Sequence, residues 1–128
     1  MGDVQVMDQG PAMTRPVRVE PLDHVRPGAR LLRPRGRFHA RTGIELMAVI
    51  DGQRAHALDL LILDLTEVVT FGPLALQIVV QIATELRRVG IGLRLVGSEQ
   101  AVGSALAVAG VRSLVTLHGT VGEALAGR

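Results

Sequence analysis

Residues 58–97 read as one strand, turn, helix and strand, and the first strand, with Leu58, Leu60, Leu61, Ile62 and Leu63, is apolar on both faces. Strand side chains alternate between two faces, so a run that is apolar throughout must be covered on both, as at the centre of a sheet flanked by helices. The loop leaving such a strand emerges at the sheet's carboxyl edge, where open α/β sheets present their binding residues. Here that loop is Asp64-Leu65-Thr66-Glu67-Val68-Val69-Thr70-Phe71-Gly72-Pro73-Leu74. It holds no Ser, His or Cys, and no acids beyond Asp64 and Glu67, so it reads as a contact surface and not as a reaction centre.

A chain of 128 residues, 48% apolar, suits one compact domain that buries a core without metals or disulfides. Phe38 and Phe71 are the only aromatics, so Leu, Val, Ile and Ala must build that core. The absence of cysteine excludes thiol redox chemistry and thiolate zinc sites. No signal-peptide pattern occupies the first thirty residues and no apolar run nears the ~20 residues that cross a bilayer, which predicts a cytoplasmic protein without membrane insertion.

Every basic residue is Arg, and the charge is uneven: through Arg41 there are eight Arg against four acids, and from Thr42 onward six Arg against eight acids. The amino-terminal part is thus a basic arm. Clustered Arg attracts acidic partners or nucleic acid, but a single aromatic, Phe38, offers no stacking platform, which argues against nucleic acid.

Residues 1–14, rich in Gly, Asp and Gln, read as a flexible lead-in, leaving residues 15–128 as the single domain. Prolines 16, 21, 27 and 34 separate two short strands, 17–20 and 29–33, joined by an Arg26-Pro27-Gly28 turn. Thr42-Gly43-Ile44-Glu45 has the form of a capping box opening a helix with Leu46, Val49 and Ile50 on one face and Gly52 near its end. After the buried strand, Gly72 and Pro73 suit the N-cap and first position of a helix over 73–89. Its polar stripe is Gln77, Gln81, Thr84, Glu85 and Arg88; the opposite face is Leu76, Val79, Val80, Ala83 and Leu86. Ala75, Ile78, Ile82 and Val89 are apolar too, more than a helix lying on a sheet needs, so either neighbouring segments or a partner, a second copy included, must cover its flanks. A strand over 91–96, a helix capped by Ser98, a strand over 113–117 and a terminal helix opened by a second box, Thr120-Val121-Gly122-Glu123, complete the alternation. The pattern predicts an α/β domain: a mixed sheet of about five strands with about four helices packed on it.

Side chains for catalysis are sparse. His24, His39, His56 and His118 lie in separate segments without metal-ligand spacing; Ser98, Ser104 and Ser113 sit in no nucleophile motif; without Lys there is no phosphate-binding Walker sequence. Neither an enzyme, a metal nor a cofactor is expected. Asp64, ending a buried strand, reads as an acid that fixes the following turn by accepting backbone amide bonds.

The order Leu61-Ile62-Leu63-Asp64-Leu65-Thr66, then Gly90 and Leu93-Arg94-Leu95-Val96-Gly97, then Ala109-Gly110-Val111-Arg112-Ser113-Leu114, then Glu123-Ala124-Leu125 resembles the STAS family, the sulphate transporter and anti-sigma-factor antagonist domain. Upstream, Arg35-Gly36-Arg37-Phe38-His39 takes the place of that family's G-x-[LF]-D. Its D-S-S-G-L falls on Gly72-Pro73-Leu74-Ala75-Leu76, so Leu74 stands where members carry a phosphoacceptor serine, and His39 stands for the aspartate. In members acting as antagonists, the unphosphorylated serine permits binding to an anti-sigma kinase and phosphorylation blocks it by adding roughly two negative charges.

The resemblance therefore implies a non-catalytic bacterial interaction module in transcription or stress signalling. It would bind an anti-sigma factor, serine kinase or related regulator without the usual serine switch. The contact residues it implies are Gly36, Phe38, His39, Thr70, Phe71, Gly72, Pro73, Leu74, Ala75 and Gln77, with Phe71 and Leu74 as apolar anchors. Either binding is constitutive, or phosphorylation has moved to Thr66 or Thr70. A STAS-like accessory subunit of an ABC lipid transporter and a small-ligand sensor are the alternative readings.

Overall fold

The computed structural model describes residues 17–126, so the lead-in expected over 1–14 lies outside the described residues. A hairpin comes first, β1 (Val17–Pro21) and β2 (Ala29–Pro34), and is followed by α1 (Ala40–Arg54), β3 (Leu60–Asp64), α2 (Pro73–Arg88) and β4 (Gly92–Val96). A π-helical turn (Glu99–Gly103) then leads into α3 (Ser104–Val108), and a 3₁₀ turn (Arg112–Leu114) into β5 (Thr116–His118) and α4 (Val121–Ala126). The sheet order is β1-β2-β3-β4-β5, with β1 antiparallel to β2 and all other pairs parallel, which is the mixed α/β sheet the alternation predicts.

The alternation of β3 sorts the molecule into layers. Leu61 and Leu63 face a layer built from Leu46 and Ile50 of α1, Val79, Ile82 and Leu86 of α2, and Leu106 of α3. Leu60 and Ile62 face the opposite side, where α4 brings Ala124 with Val121 and Leu125. Three successive crossovers to an adjacent parallel strand, all of one hand, carry their helices to the same face. The terminal helix is left to cover the other. All five β3 residues are buried, as a central strand covered on both sides requires.

The helix over 73–89 ends at Arg88, and the face it buries is Ala75, Ile78, Val79, Ile82, Ala83 and Leu86, while Leu76 and Val80 are half-buried. The buried face is thus rotated from the one expected. Of its surplus apolar residues, Ala75, Ile78 and Ile82 are covered from within, because α2 lies on β4 and touches α1 on one flank and α3 with the 3₁₀ turn on the other, while Val89 just past its end stays exposed.

Three local readings are corrected. The helix opened at Thr42 in the sequence reading begins at Ala40, with His39 as N-cap; Thr42 Oγ1 accepts the His39 N–H at 3.3 Å and donates to Arg37 O at 3.4 Å. The strand expected over 113–117 is Thr116–His118, since residues 112–114 close a 3₁₀ turn. Before α4, Thr120 Oγ1 accepts the Glu123 N–H at 3.1 Å, but Glu123 reaches past Thr120 to the Gly119 N–H at 3.0 Å.

Candidate functional site: the carboxyl end of the sheet

Two connectors run side by side at the carboxyl ends of β2 and β3. Gly36 N–H donates to Glu67 O at 3.0 Å and Val69 N–H to Gly36 O at 2.9 Å, a parallel bridge between residues 35–39 and 65–72. Gly36 sits at φ +80°, where a Cβ would crowd the following carbonyl, so glycine is what lets the connector turn there. Arg35 Nε meets Glu67 Oε1 at 3.1 Å on the outside of this bridge.

Asp64 anchors the floor. Its side chain is 4% exposed; Oδ1 accepts the Thr66 N–H at 2.9 Å and the Thr66 hydroxyl at 2.7 Å, and Oδ2 accepts Arg33 Nε at 2.8 Å. Burial pushes the carboxyl up, but the Thr66 hydroxyl, the Thr66 amide and the Arg33 guanidinium together outweigh it and hold it below the ordinary carboxylate range. The same hydrogen bond raises Arg33. Both acids of the loop are therefore engaged, Asp64 in fixing the turn and Glu67 in a surface ion pair.

The residues singled out from the sequence fall into three groups. Leu74, 40% exposed, stands on the first turn of α2 with exposed Pro73, and Gln77, Thr70 and His39 are exposed as well. Phe38 and Phe71 are half-buried and pack on the core, and Gly36 and Gly72 are half-buried. Ala75 is 1% exposed: one turn before Ile78 and Val79, it lies on the buried face of α2 and belongs to the core instead of the surface.

What the sequence did not reveal is a groove of about 560 Å3 between α1 and α2, lined by Ile44 and Met47 on one side and Leu74, Gln77 and Ile78 on the other. Gly43 makes the close approach of the helices: a Cβ there would lie 2.9 Å from Ile78 Cδ1. Ile44 is 71% exposed at its rim, and Val69, 67% exposed, crowns the neighbouring loop. The one sequence signal was an isoleucine set off the buried Leu46 and Ile50 stripe.

Among the described residues no three His, Cys, Asp or Glu side chains gather as a metal cluster would, and no helix is long and apolar enough to cross a membrane.

Comparison with known proteins matches this arrangement. A family model described as the STAS domain matches residues 20–124. Among solved structures, an anti-sigma factor antagonist from Mycobacterium paratuberculosis is 23% identical, with 86% of this chain and 90% of that one covered and a TM-score of 0.67. The anti-sigma factor antagonist SpoIIAA in its unphosphorylated form is 15% identical, over 85% of this chain and 92% of that one, at a TM-score of 0.67. The Thermotoga maritima protein TM1081 is 17% identical over 99% and 97%, at a TM-score of 0.73. No curated protein sequence is a match. At these identities the solved structures establish the fold.

Proposed function

The chain belongs to the STAS domain family, and from that premise we propose that it is a non-catalytic docking module, resembling an anti-sigma-factor antagonist, whose contact surface is the carboxyl end of the sheet. The partner in this reading is an anti-sigma factor, a serine kinase or a related regulator, met in the bacterial cytoplasm. One observation carries it: Leu74, which the resemblance sets at the family's phosphoacceptor serine, is an accessible leucine that lines a groove together with an exposed isoleucine. An uncharged side chain there leaves the contact permanently permitted, since no phosphate can form at that position.

Had regulation moved to a threonine, Thr70 would suit it better than Thr66. The Thr66 hydroxyl donates to the buried Asp64 carboxylate, and a phosphate there would sit against a like charge. Thr70 is exposed and precedes α2 by three residues. Intact-mass measurement of the chain purified from its own host tests this, with an added phosphate as the expected sign.

The docking reading is tested by Leu74→Glu. With the anti-sigma kinases of the source organism as bait, the substitution should weaken capture by ~30-fold or more, as expected for a central apolar contact, while circular dichroism stays unchanged. Equal capture of both chains would remove Leu74 from the interface. The groove's volume, within the ~300–1,000 Å3 of small-molecule sites, supports a ligand sensor as the second reading, and a thermal-shift screen would expose it.

A further inference from the structure

The connector leading into α1 is cationic. Arg35 and Arg37 stand two residues apart and Arg41 four further on, with His39 between the last two, and all are exposed. Arg35 is bound to Glu67. Among the described residues neither Arg37 nor Arg41 enters an ion pair. The acid that helix spacing would offer Arg41 is Glu45, four residues on, but Glu45 is half-buried, its Oε1 is enclosed without a hydrogen-bond partner, and no ion pair joins the two.

Both arginines stand on segments that adjoin the apolar surface already described. Arg41 lies one helical turn before Ile44, and Arg37 adjoins Gly36, whose carbonyl holds the Val69 amide. Across the groove the nearer rim is neutral, Gln77 and Gln81. The acids farther along, Asp51 and Glu85, are both within ion-pair distance of Arg54. The surface thus has Ile44 and Leu74 at the groove and exposed Val69 on the neighbouring loop, with positive charge on one side that no ion pair among the described residues offsets.

We infer that this surface takes a protein segment whose apolar side chains are flanked by carboxylates, the carboxylates meeting Arg37 and Arg41 while an apolar side chain covers Leu74 and Ile44. The inference rests on the docking reading above and adds the partner's chemistry. Guanidinium and carboxylate form paired, charge-assisted hydrogen bonds, and rim charges of this kind set association rate and partner choice. Nucleic acid would satisfy the arginines alone: Phe38 and Phe71 are packed against the core and offer no free ring for a base, so Ile44 and Leu74 would stay exposed. A second copy would bring like charge to like.

The test uses the full chain and fluorescence anisotropy with a labelled 16-residue amphipathic peptide, Leu on one face and Glu on both flanks, against the same peptide with Lys for Glu and against an oligo-dT strand. The Glu peptide should bind about tenfold or more tightly than the Lys peptide, weaken several-fold from 50 to 300 mM salt, and lose that advantage in R37E/R41E. The milder R37Q/R41Q should fall between, guarding against a folding defect. Equal binding of the two peptides, binding of neither, preference for oligo-dT, or a dimer in sedimentation that L74E dissolves would each overturn it. Kinase capture lost in L74E but untouched in R37E/R41E would leave the docking surface and remove its acidic partner.

Discussion

Arg33 on β2 reaches across to the last residue of β3 and donates from Nε to Asp64 Oδ2 at 2.8 Å, one step beyond the register that sets Leu32 against Leu63. The carboxylate is nearly enclosed and the guanidinium about one-fifth exposed. Because Asp64 also takes the Thr66 amide and hydroxyl, this contact ties the start of the proposed docking surface to the sheet. The surface has little freedom of its own at this point.

Acid stability should report that tie. The Asp64 carboxyl titrates lower in the folded chain than in the unfolded one, where it lies at about 3.9. Its contribution is therefore present above the unfolded value and lost as pH falls through the folded one. Urea unfolding should show a plateau from neutral pH down to about 5 and a decline below about 4. Asp64→Asn should cost about 3 kcal/mol at pH 7, since it strands a partly buried guanidinium, and should flatten the acid limb. Asp23 and Glu99, also lowered, leave some slope behind. An acid limb unchanged in the variant would remove Asp64 as its source.

The far end of the sheet offers a pair of opposite backbone effects. Gly28 ends the β1–β2 turn at φ +79°, and a Cβ there would lie 2.8 Å from Asp59 Cβ and 3.1 Å from Ala57 O. Ala57 is itself left-handed, at φ +58°, with no side-chain advantage in that region. Gly28→Ala should destabilise by about 2 kcal/mol or more, and Ala57→Gly should stabilise by up to about 1 kcal/mol, relief of strain outweighing the greater freedom of the unfolded glycine. Thermal melts moving in the same direction for both would contradict these conformations.

Much of the central unit is legible because two signals coincide there. An apolar run too uniform for a half-exposed strand stands before Gly72-Pro73, whose backbone suits a helix start, and the chain follows both. Where hydroxyls and charges choose among several nearby partners, the sequence is ambiguous. Thr42 has the right residue three places on for a capping box, yet its hydroxyl reaches back to His39 and Arg37. Residues 113–115 have strand-like composition, yet the chain there turns to bring Arg112 onto Glu99 and the Gly103 carbonyl. The groove was invisible for another reason. It exists only because α1 and α2 lie side by side, and the place of Ile44 off the buried stripe does not say which element it faces.

Leu74 and Leu86 sit on the same helix and should separate docking from folding. Leu86 is fully buried among β-sheet and helix side chains, whereas Leu74 keeps 40% of its surface exposed. Leu86→Ala should cost about 2–5 kcal/mol through lost burial and the cavity left behind, and Leu74→Ala under about 1 kcal/mol. Urea midpoints give both values directly. A Leu74→Ala cost matching that of Leu86→Ala would mean that its side chain serves the core, and the docking surface would lose its centre.

Gly43 poses the finer test, because helix propensity and groove shape pull on it differently. Inside α1, alanine is favoured over glycine by about 1 kcal/mol, but the added methyl would lie 2.9 and 3.0 Å from the Ile78 Cδ1 and Cγ1 atoms. Ile78 borders the groove, so its terminal methyl has open space to move into. Gly43→Ala should therefore leave stability within about 1 kcal/mol of the parent while narrowing the groove and weakening whatever segment occupies it. A loss of several kcal/mol would mean the α1–α2 contact cannot yield. Unchanged stability together with unchanged partner affinity would place the docking contact on the loop residues alone, away from the space between the helices.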